Sequence, residues 1–197
     1  MRKICFGGSF NPIHYGHLRP SRAAADAAGF DTVVLLPSAV PPHKLRQPDM
    51  ASADDRLTMC RLAAETVTGF DVDNIEMRRA GPSFTIDTAR ELRQRGWDRV
   101  SWLIGADQVR QLPTWRNPQA LLREVDFYVI ARPGWEFDWE RLPAEFRVLR
   151  ERVVEAPLVD ISATDIRRRV AAGESIDDLV PAPVARYIEA KALYRSP

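Results

Sequence analysis

Two histidines, His14 and His17, stand three residues apart directly after a glycine-rich turn. The turn follows a short apolar run, residues 4–6, that predicts a buried strand, and precedes an alanine-rich segment, residues 21–28, that predicts a helix. A turn between a strand and a helix exposes backbone N–H groups at the positive end of the helix, which favours phosphate. Because residues three apart share a helix face, both imidazoles can reach one ligand. The stretch therefore predicts a site that handles a polyphosphate.

Two common nucleotide sites are excluded by the same turn. No Gly-Lys-Ser/Thr follows Gly7 and Gly8, so the turn is not a P-loop, and the GxGxxG pattern of dinucleotide-binding dehydrogenases is missing. A metal site is the alternative, because the third histidine of the chain, His43, can complete a three-histidine zinc site. The neighbouring Lys44 suits an anion better than a cation, which favours the phosphate interpretation.

A second candidate for anion binding lies at residues 161–167. Ser162 and Thr164 can cap the helix predicted from about residue 164, whose first N–H groups then face an anion. Arg167 supplies a planar fork of donors that matches phosphate oxygens. Considered alone, these residues favour an ordinary capped helix that has a solvated basic face, since two more arginines follow; together with the histidine stretch some 150 residues earlier, they favour anion binding by Arg167.

Both stretches resemble motifs of the nucleotidylyltransferase superfamily. Residues 14–17 match its HxGH motif and follow Gly-Gly-Ser-Phe-Asn-Pro, and residues 161–167, Ile-Ser-Ala-Thr-Asp-Ile-Arg, resemble its ISSTxIR motif. Ala163 replaces the usual second serine, so a hydroxyl contact from that position is lost. The resemblance implies a Rossmann-like nucleotidyltransferase fold with a small C-terminal helical part.

Further features resemble bacterial nicotinate mononucleotide adenylyltransferases. One is the loop that ends in Pro-Pro-His-Lys at Lys44, and another is residues 83–88, which resemble their SYTxDT element with Phe84 in place of tyrosine. Gly-Ala-Asp at residues 105–107, followed by Trp115, resembles the end of one of their strands and a downstream tryptophan. These matches imply that ATP and nicotinate mononucleotide are joined, giving the dinucleotide and pyrophosphate.

The resemblance implies a role for each matched position. The implied catalytic residues are His14, His17, Lys44 and Arg167. The implied ATP-binding residues are Gly7, Gly8, Ser9, Phe10, Gly16, Gly105, Asp107, Ile161, Ser162 and Thr164. The implied nicotinate-nucleotide-binding residues are Ser9, Lys44, Thr85, Trp115 and Arg132. No protein ligand to a metal is implied, because Mg²⁺ bridges the phosphate oxygens of ATP.

Several of these positions have a simpler interpretation. Asp107 can accept ribose hydroxyls or merely cap a helix over residues 108–112. Trp115 can stack on the nicotinate ring, as flat heterocycles favour, or only pack at the surface. Arg56, flanked by acidic residues, is predicted to be a salt-bridged surface residue.

Other functions remain as alternatives. A phosphopantetheine adenylyltransferase keeps the same phosphate chemistry, but those proteins lack the residue 83–88 and Pro-Pro-His-Lys features. Nicotinamide mononucleotide is a closer rival as acceptor, because acid and amide differ by one small group. A regulatory nucleotide-binding protein with a decayed site is a different class, which the retained histidines, lysine and arginine disfavour.

The composition limits partners and location. The chain has 197 residues and a net charge of +1, so a broad footprint for nucleic acid is not indicated. The first apolar run is too short for a signal peptide, and no run is long enough to span a membrane, so we expect a single cytoplasmic domain over residues 1–197. Cys5 and Cys60 lie far apart and are predicted to be buried small apolar residues. The sequence leaves open a homo-oligomer.

Alternating strands and helices must position these side chains. The predicted strands are residues 4–6, 32–36, 70–77, 100–104, 127–131 and 153–159. Helices are expected between them, with ends marked by Ser52, Gly69, Gly96, Asn117 and Gly173. This order predicts an α/β fold with a doubly wound, mostly parallel sheet, whose ligands bind at the carboxyl ends of the strands.

Overall fold

The computed structural model of the chain describes residues 1–40, 49–157 and 159–195. Within these ranges six strands form one parallel sheet in the order β3-β2-β1-β4-β5-β6. The strands are β1 (Lys3–Gly8), β2 (Thr32–Pro37), β3 (Phe70–Val72), β4 (Val100–Gly105), β5 (Val125–Ala131) and β6 (Val153–Glu155). The predicted doubly wound α/β fold is confirmed.

Seven α-helices connect and flank the strands of the described chain. They are α1 (Tyr15–Ala27), α2 (Ala53–Thr66), α3 (Thr85–Gln94), α4 (Ala106–Val109), α5 (Pro118–Glu124), α6 (Ala163–Ala171) and α7 (Ala182–Ala190). The first helix begins well before the predicted residue 21 and includes Pro20. The Ser52 hydroxyl accepts a hydrogen bond from the Asp55 N–H at 3.1 Å, which confirms the predicted cap of α2.

Three element predictions differ from the structure. Strand β3 ends at Val72 and not at residue 77, because the chain turns into a 3₁₀ segment, Ile75–Arg78, that buries Ile75 and Glu76. Asn117 directly precedes α5 as predicted, but it takes a left-handed conformation (φ 52°) and its side chain makes no capping hydrogen bond. Of the described residues within the predicted strand 153–159, only the first three form a strand, β6.

The sheet separates two apolar clusters. Alternate residues of a strand point to opposite faces, so Ile4 packs in one cluster with α1 and α7, and Cys5 packs in the other with α3 and α5. Cys5 and Cys60 are both buried free thiols, as predicted, and burial raises the pKa of each. Because β1 lies between β2 and β4, the order of the sheet reverses beside it, and the carboxyl ends of β1 and β4 form the crevice where such folds bind ligands.

Candidate active site

The histidine pair lies at the carboxyl end of β1, where the chain enters α1. His14 is the residue before the helix and His17 lies in its first turn, with the two ring centroids 3.7 Å apart. His14 is 4% exposed, and no partner for its Nδ1 atom is found among the described residues. Burial lowers the pKa of His14 to about 4, so its imidazole is neutral at physiological pH.

Gly16 brings the two sequence motifs into contact. A Cβ atom at this position would lie 2.8 Å from the Ile161 carbonyl oxygen and 2.9 Å from Nδ1 of His14. No side chain fits there without moving backbone, so only glycine lets α1 approach residue 161 this closely. The HxGH turn and the segment that leads into α6 are therefore direct neighbours, although some 150 residues separate them in the sequence.

Arg167 extends from α6 into the same turn. Its guanidinium donates to the Asn11 carbonyl oxygen (Nη1, 2.9 Å) and to the Thr164 hydroxyl (Nη2, 3.3 Å), and Nε forms an ion pair with Asp49 at 2.5 Å. Arg167 is only 9% exposed. The structure thus brings the predicted arginine beside the histidine motif, with three of its five N–H donors making protein contacts.

The remaining residues of the 161–167 motif support the start of α6. The Ser162 hydroxyl accepts a hydrogen bond from the Asp165 N–H at 3.1 Å, which confirms the predicted cap. The Asp165 carboxylate pairs with Arg168 and Arg169, and these hydrogen bonds lower its pKa. The two arginines after Arg167 therefore act on their own helix.

The glycine turn itself is held by packing. A Cβ at Gly7 would lie 2.8 Å from the Trp102 ring, and one at Gly8 would lie 3.0 Å from the Phe10 ring. Phe10 is 1% exposed and packs edge-on against His17 at 5.2 Å, so its side chain supports the histidine. Its left-handed φ of 45° is uncommon for a bulky residue, which indicates local backbone strain at the site.

Arg56 is not the salt-bridged surface residue that the sequence predicted. It is 1% exposed and donates four hydrogen bonds to backbone carbonyls, those of Ser9, Ser38, Ala39 and Ala51, at 2.7–3.1 Å. The acidic neighbours Asp54 and Asp55 misled the prediction, because Asp54 is exposed and Asp55 half-buried whereas Arg56 is buried. Its guanidinium ties the glycine turn to the loop after β2, a long-range role with no local sequence signal.

The residues predicted at the other side of the crevice follow β4 and β5. Gly105 is the last residue of β4, with open space where a Cβ would lie, and Asp107 is exposed in the short helix α4. Gly105 and not Asp107 precedes that helix, so the capping interpretation of Asp107 is wrong. Arg132 is exposed just beyond β5, at the same edge of the sheet.

Thr85 and Trp115 belong to neighbouring segments. The guanidinium of Arg116 lies 4.7 Å above the ring of Phe84, the residue before α3, which links the two segments. Trp115 is half-buried, packs edge-on against Phe127 at 6.3 Å, and its Nε1 atom makes no hydrogen bond within the described chain. Its backbone N–H donates to the Leu112 carbonyl oxygen at 3.1 Å.

Lys44 and His43 fall outside the described residues, so the structure does not place the predicted lysine or the third histidine. Among the residues that are described, no group of three or more His, Cys, Asp or Glu side chains is arranged to hold a metal ion. In the same ranges no helix is long and apolar enough to cross a membrane.

Known proteins are similar to this chain in sequence and in fold. A sequence model of the cytidylyltransferase-like family matches residues 5–169. A Yersinia pestis (strain Pestoides F) protein named "Probable nicotinate-nucleotide adenylyltransferase" is 43% identical, over 96% of this chain and 94% of its own. A Symbiobacterium thermophilum protein of the same name is 38% identical, over 98% of this chain and 95% of its own length. The Plasmodium falciparum nicotinic acid mononucleotide adenylyltransferase complexed with NaAD has a similar fold, with a TM-score of 0.75, 16% identity and 98% coverage of both chains.

The family match covers the sheet, the histidine turn and most of α6, and it makes the chain a nucleotidyltransferase of the cytidylyltransferase-like family. The sequence identities of 43% and 38% over nearly the whole chain define the family more narrowly. The chain belongs to the family of nicotinate-nucleotide adenylyltransferases.

Proposed function

We propose that this protein transfers the AMP moiety of ATP to nicotinate mononucleotide, releasing pyrophosphate and forming the dinucleotide deamido-NAD. The observation that carries the proposal is the contact between the two motifs at the carboxyl end of β1. The Arg167 guanidinium donates to the carbonyl of Asn11, three residues before His14. Candidate donors from both ends of the chain therefore come together at the carboxyl end of β1, where we assign the polyphosphate.

The proposed chemistry needs no general base. A phosphate oxygen of the mononucleotide, already ionised at neutral pH, forms a bond to the α-phosphorus of ATP. The bond between the α-phosphorus and the oxygen that bridges it to the β-phosphorus breaks, and pyrophosphate leaves with that oxygen. The protein has to align the two anions and stabilise charge that develops in the transition state. His14, neutral because of its burial, and His17 are assigned as hydrogen-bond donors to the α-phosphate, with His17 on the reacting oxygens.

The leaving pyrophosphate is assigned to Arg167 and Lys44. Arg167 keeps two N–H donors beyond its three protein contacts, and these match the oxygens of a β- or γ-phosphate. Mg²⁺ is proposed to accompany ATP, because it commonly binds through substrate phosphates. When bound there, Mg²⁺ neutralises part of the phosphate charge.

The acceptor pocket is assigned to the region between α3 and Trp115. Helix α3 has ten residues, and its preceding residue, Phe84, provides no side-chain cap. The positive end of the helix therefore offers backbone donors at Thr85, and Arg116 adds a cation beside them. Arg116 also lies 3.8 Å from the Asp87 carboxylate, which offsets part of its charge. A carboxylate is still stabilised here more strongly than a neutral amide, which supports nicotinate over nicotinamide. Ser9 and Arg132 are assigned to the phosphate of the same nucleotide.

The deciding experiment is pyrophosphate release with ATP and Mg²⁺, with nicotinate mononucleotide, nicotinamide mononucleotide or phosphopantetheine as acceptor. The proposal expects a strong preference for nicotinate mononucleotide. A preference for either of the other acceptors would retain the phosphate site and reject the assigned pocket. No turnover with any acceptor would favour a nucleotide-binding regulator.

A further inference from the structure

We infer that the hydroxyl of Tyr194 is a positioning group for the catalytic turn, acting through the side chain of Asn11. This inference rests on the proposed function, because it assigns a role in ATP turnover to a residue that does not touch the histidines. Tyr194 follows α7 and lies 183 residues from Asn11 in the sequence. The sequence motifs discussed above do not include Tyr194, and they include Asn11 only as a residue of the glycine turn.

Asn11 is the centre of a buried hydrogen-bond network. It is 2% exposed, and its Oδ1 atom accepts from the Tyr194 hydroxyl at 2.8 Å and from the Ala51 N–H at 3.0 Å. Its Nδ2 group donates to the Asp49 carbonyl oxygen at 3.2 Å. Its own carbonyl oxygen accepts from Arg167 at 2.9 Å. One buried residue thus joins the turn to three other parts of the chain.

These contacts form a closed arrangement around Arg167. The Arg167 guanidinium contacts the Asn11 carbonyl with Nη1 and the Asp49 carboxylate with Nε, and Asn11 itself holds the backbone of Asp49. Loss of the Asn11 amide contacts therefore loosens the backbone at residues 49–51, which carries the carboxylate anchor of the arginine, and frees the residue whose own carbonyl is the other anchor. The Tyr194 hydroxyl and the Ala51 N–H both donate to the amide oxygen of Asn11 and hold the amide in its orientation. In this way the Tyr194 hydroxyl helps to keep the Arg167 guanidinium facing the histidine turn.

The backbone around Tyr194 is bent to make this contact. Tyr194 has a φ of 61° and Ala192 has a φ of 50°, both in the left-handed region that non-glycine residues seldom occupy. Such strain persists only where surrounding contacts hold it in place, and it is concentrated at functional sites. Burial raises the pKa of the Tyr194 phenol, so the group remains a donor throughout the physiological range.

Tyr187 provides a matched control within the same part of the fold. Its hydroxyl donates to the Asp55 carboxylate, also at 2.8 Å, and connects α7 to the first turn of α2. This bond joins the same helical segment to the body of the protein without touching Asn11 or Arg167. Removing either hydroxyl costs one hydrogen bond, but only one of the two losses reaches the catalytic turn.

The test compares Tyr194→Phe with Tyr187→Phe in steady-state kinetics. We expect Tyr194→Phe to lower kcat/KM for ATP about three- to tenfold, the effect of one buried hydrogen bond, with the KM for nicotinate mononucleotide unchanged. Tyr187→Phe is expected to stay within about twofold of the wild type on every parameter. In an Asn11→Ala background Tyr194→Phe is expected to have no further effect, because the two residues act as a unit. Additive losses, or equal effects of the two tyrosine variants, would overturn the inference.

Hydrogen–deuterium exchange supplies a readout that does not depend on activity. In the free protein, Tyr194→Phe is expected to raise exchange in peptides that cover residues 9–14 and 49–51, and Tyr187→Phe is expected to leave both unchanged. Unchanged protection of these peptides in Tyr194→Phe would refute the positioning role. If the wild-type protein turned over no acceptor, the proposed function would fail, and the exchange result would still decide the role of Tyr194 in ordering the turn.

Discussion

The burial of His14 makes the folded protein sensitive to acid in a defined pH window. An unfolded histidine has a pKa of 6.5, whereas burial lowers the pKa of His14 to about 4 in the folded protein. As the pH falls below 6.5, the unfolded chain takes up a proton that the folded chain accepts only near pH 4. The stability that depends on a neutral His14 is therefore fully present above about pH 6.5 and is lost as the pH falls from there towards about pH 4.

The size of the loss follows from the two pKa values. At about pH 5 the unfolded chain binds nearly one proton more than the folded chain at this position, and integration from about pH 7.5 gives a loss of about 2 kcal/mol. The full difference, reached when both states are protonated, is about 3 kcal/mol. His14 is buried with no partner for Nδ1 in the described chain, so solvent does little to reduce this cost.

The measurement is urea unfolding of the wild type and of His14→Gln, which cannot titrate, at about pH 7.5 and about pH 5. The five tryptophans report unfolding by fluorescence. The wild type is expected to lose about 2 kcal/mol more than the variant between the two pH values. Burial raises the pKa of Glu76, which acts in the opposite direction, but that contribution is common to both proteins and cancels. A parallel pH dependence of the two proteins would refute the assignment of a neutral, desolvated His14.

Three further substitutions test the site. His17→Ala is expected to lower kcat about 100-fold or more with little change in the KM for ATP, because its contact strengthens in the transition state; a raised KM with kcat unchanged would argue against this. Trp115→Ala is expected to weaken nicotinate mononucleotide binding about tenfold in calorimetry and to leave ATP binding nearly intact, whereas equal losses would make Trp115 structural. Arg56→Met is expected to lower the free energy of unfolding in urea by at least about 3 kcal/mol, because four carbonyls lose a donor; a change below about 1 kcal/mol would contradict its assigned role.

The sequence was most informative where chemistry and local geometry depend on the same residues. The turn after β1 needs glycine for close packing and carries the histidines that are assigned to phosphate, so the motif predicted both the bend and its position in the fold. Ser52 and Ser162 predicted helix starts correctly, because a capping hydroxyl acts on the backbone only three residues away. The parallel sheet followed from short apolar runs that alternate with helices.

The sequence was least informative about long-range polar contacts. Arg56 was assigned to the surface from its acidic neighbours, yet its four partners are carbonyls from three separate segments that meet only in the folded chain. Tyr194 was not identified at all, because its partner Asn11 is 183 residues away. The roles assigned to the site residues, from His14 and His17 to Arg167, remain predictions, and Lys44 lies outside the described residues.

The distance along the chain between the parts of this site has a consequence for synthesis. The turn that carries His14 leaves the ribosome early, but the Ile161 carbonyl that closes over Gly16 and the Arg167 side chain that reaches Asn11 come about 150 residues later. Contacts of such high sequence separation form late and slowly in folding. A nascent chain that lacks α6 therefore holds the histidines without the arginine, and the role proposed for Arg167 requires that helix to dock before adenylyl transfer begins.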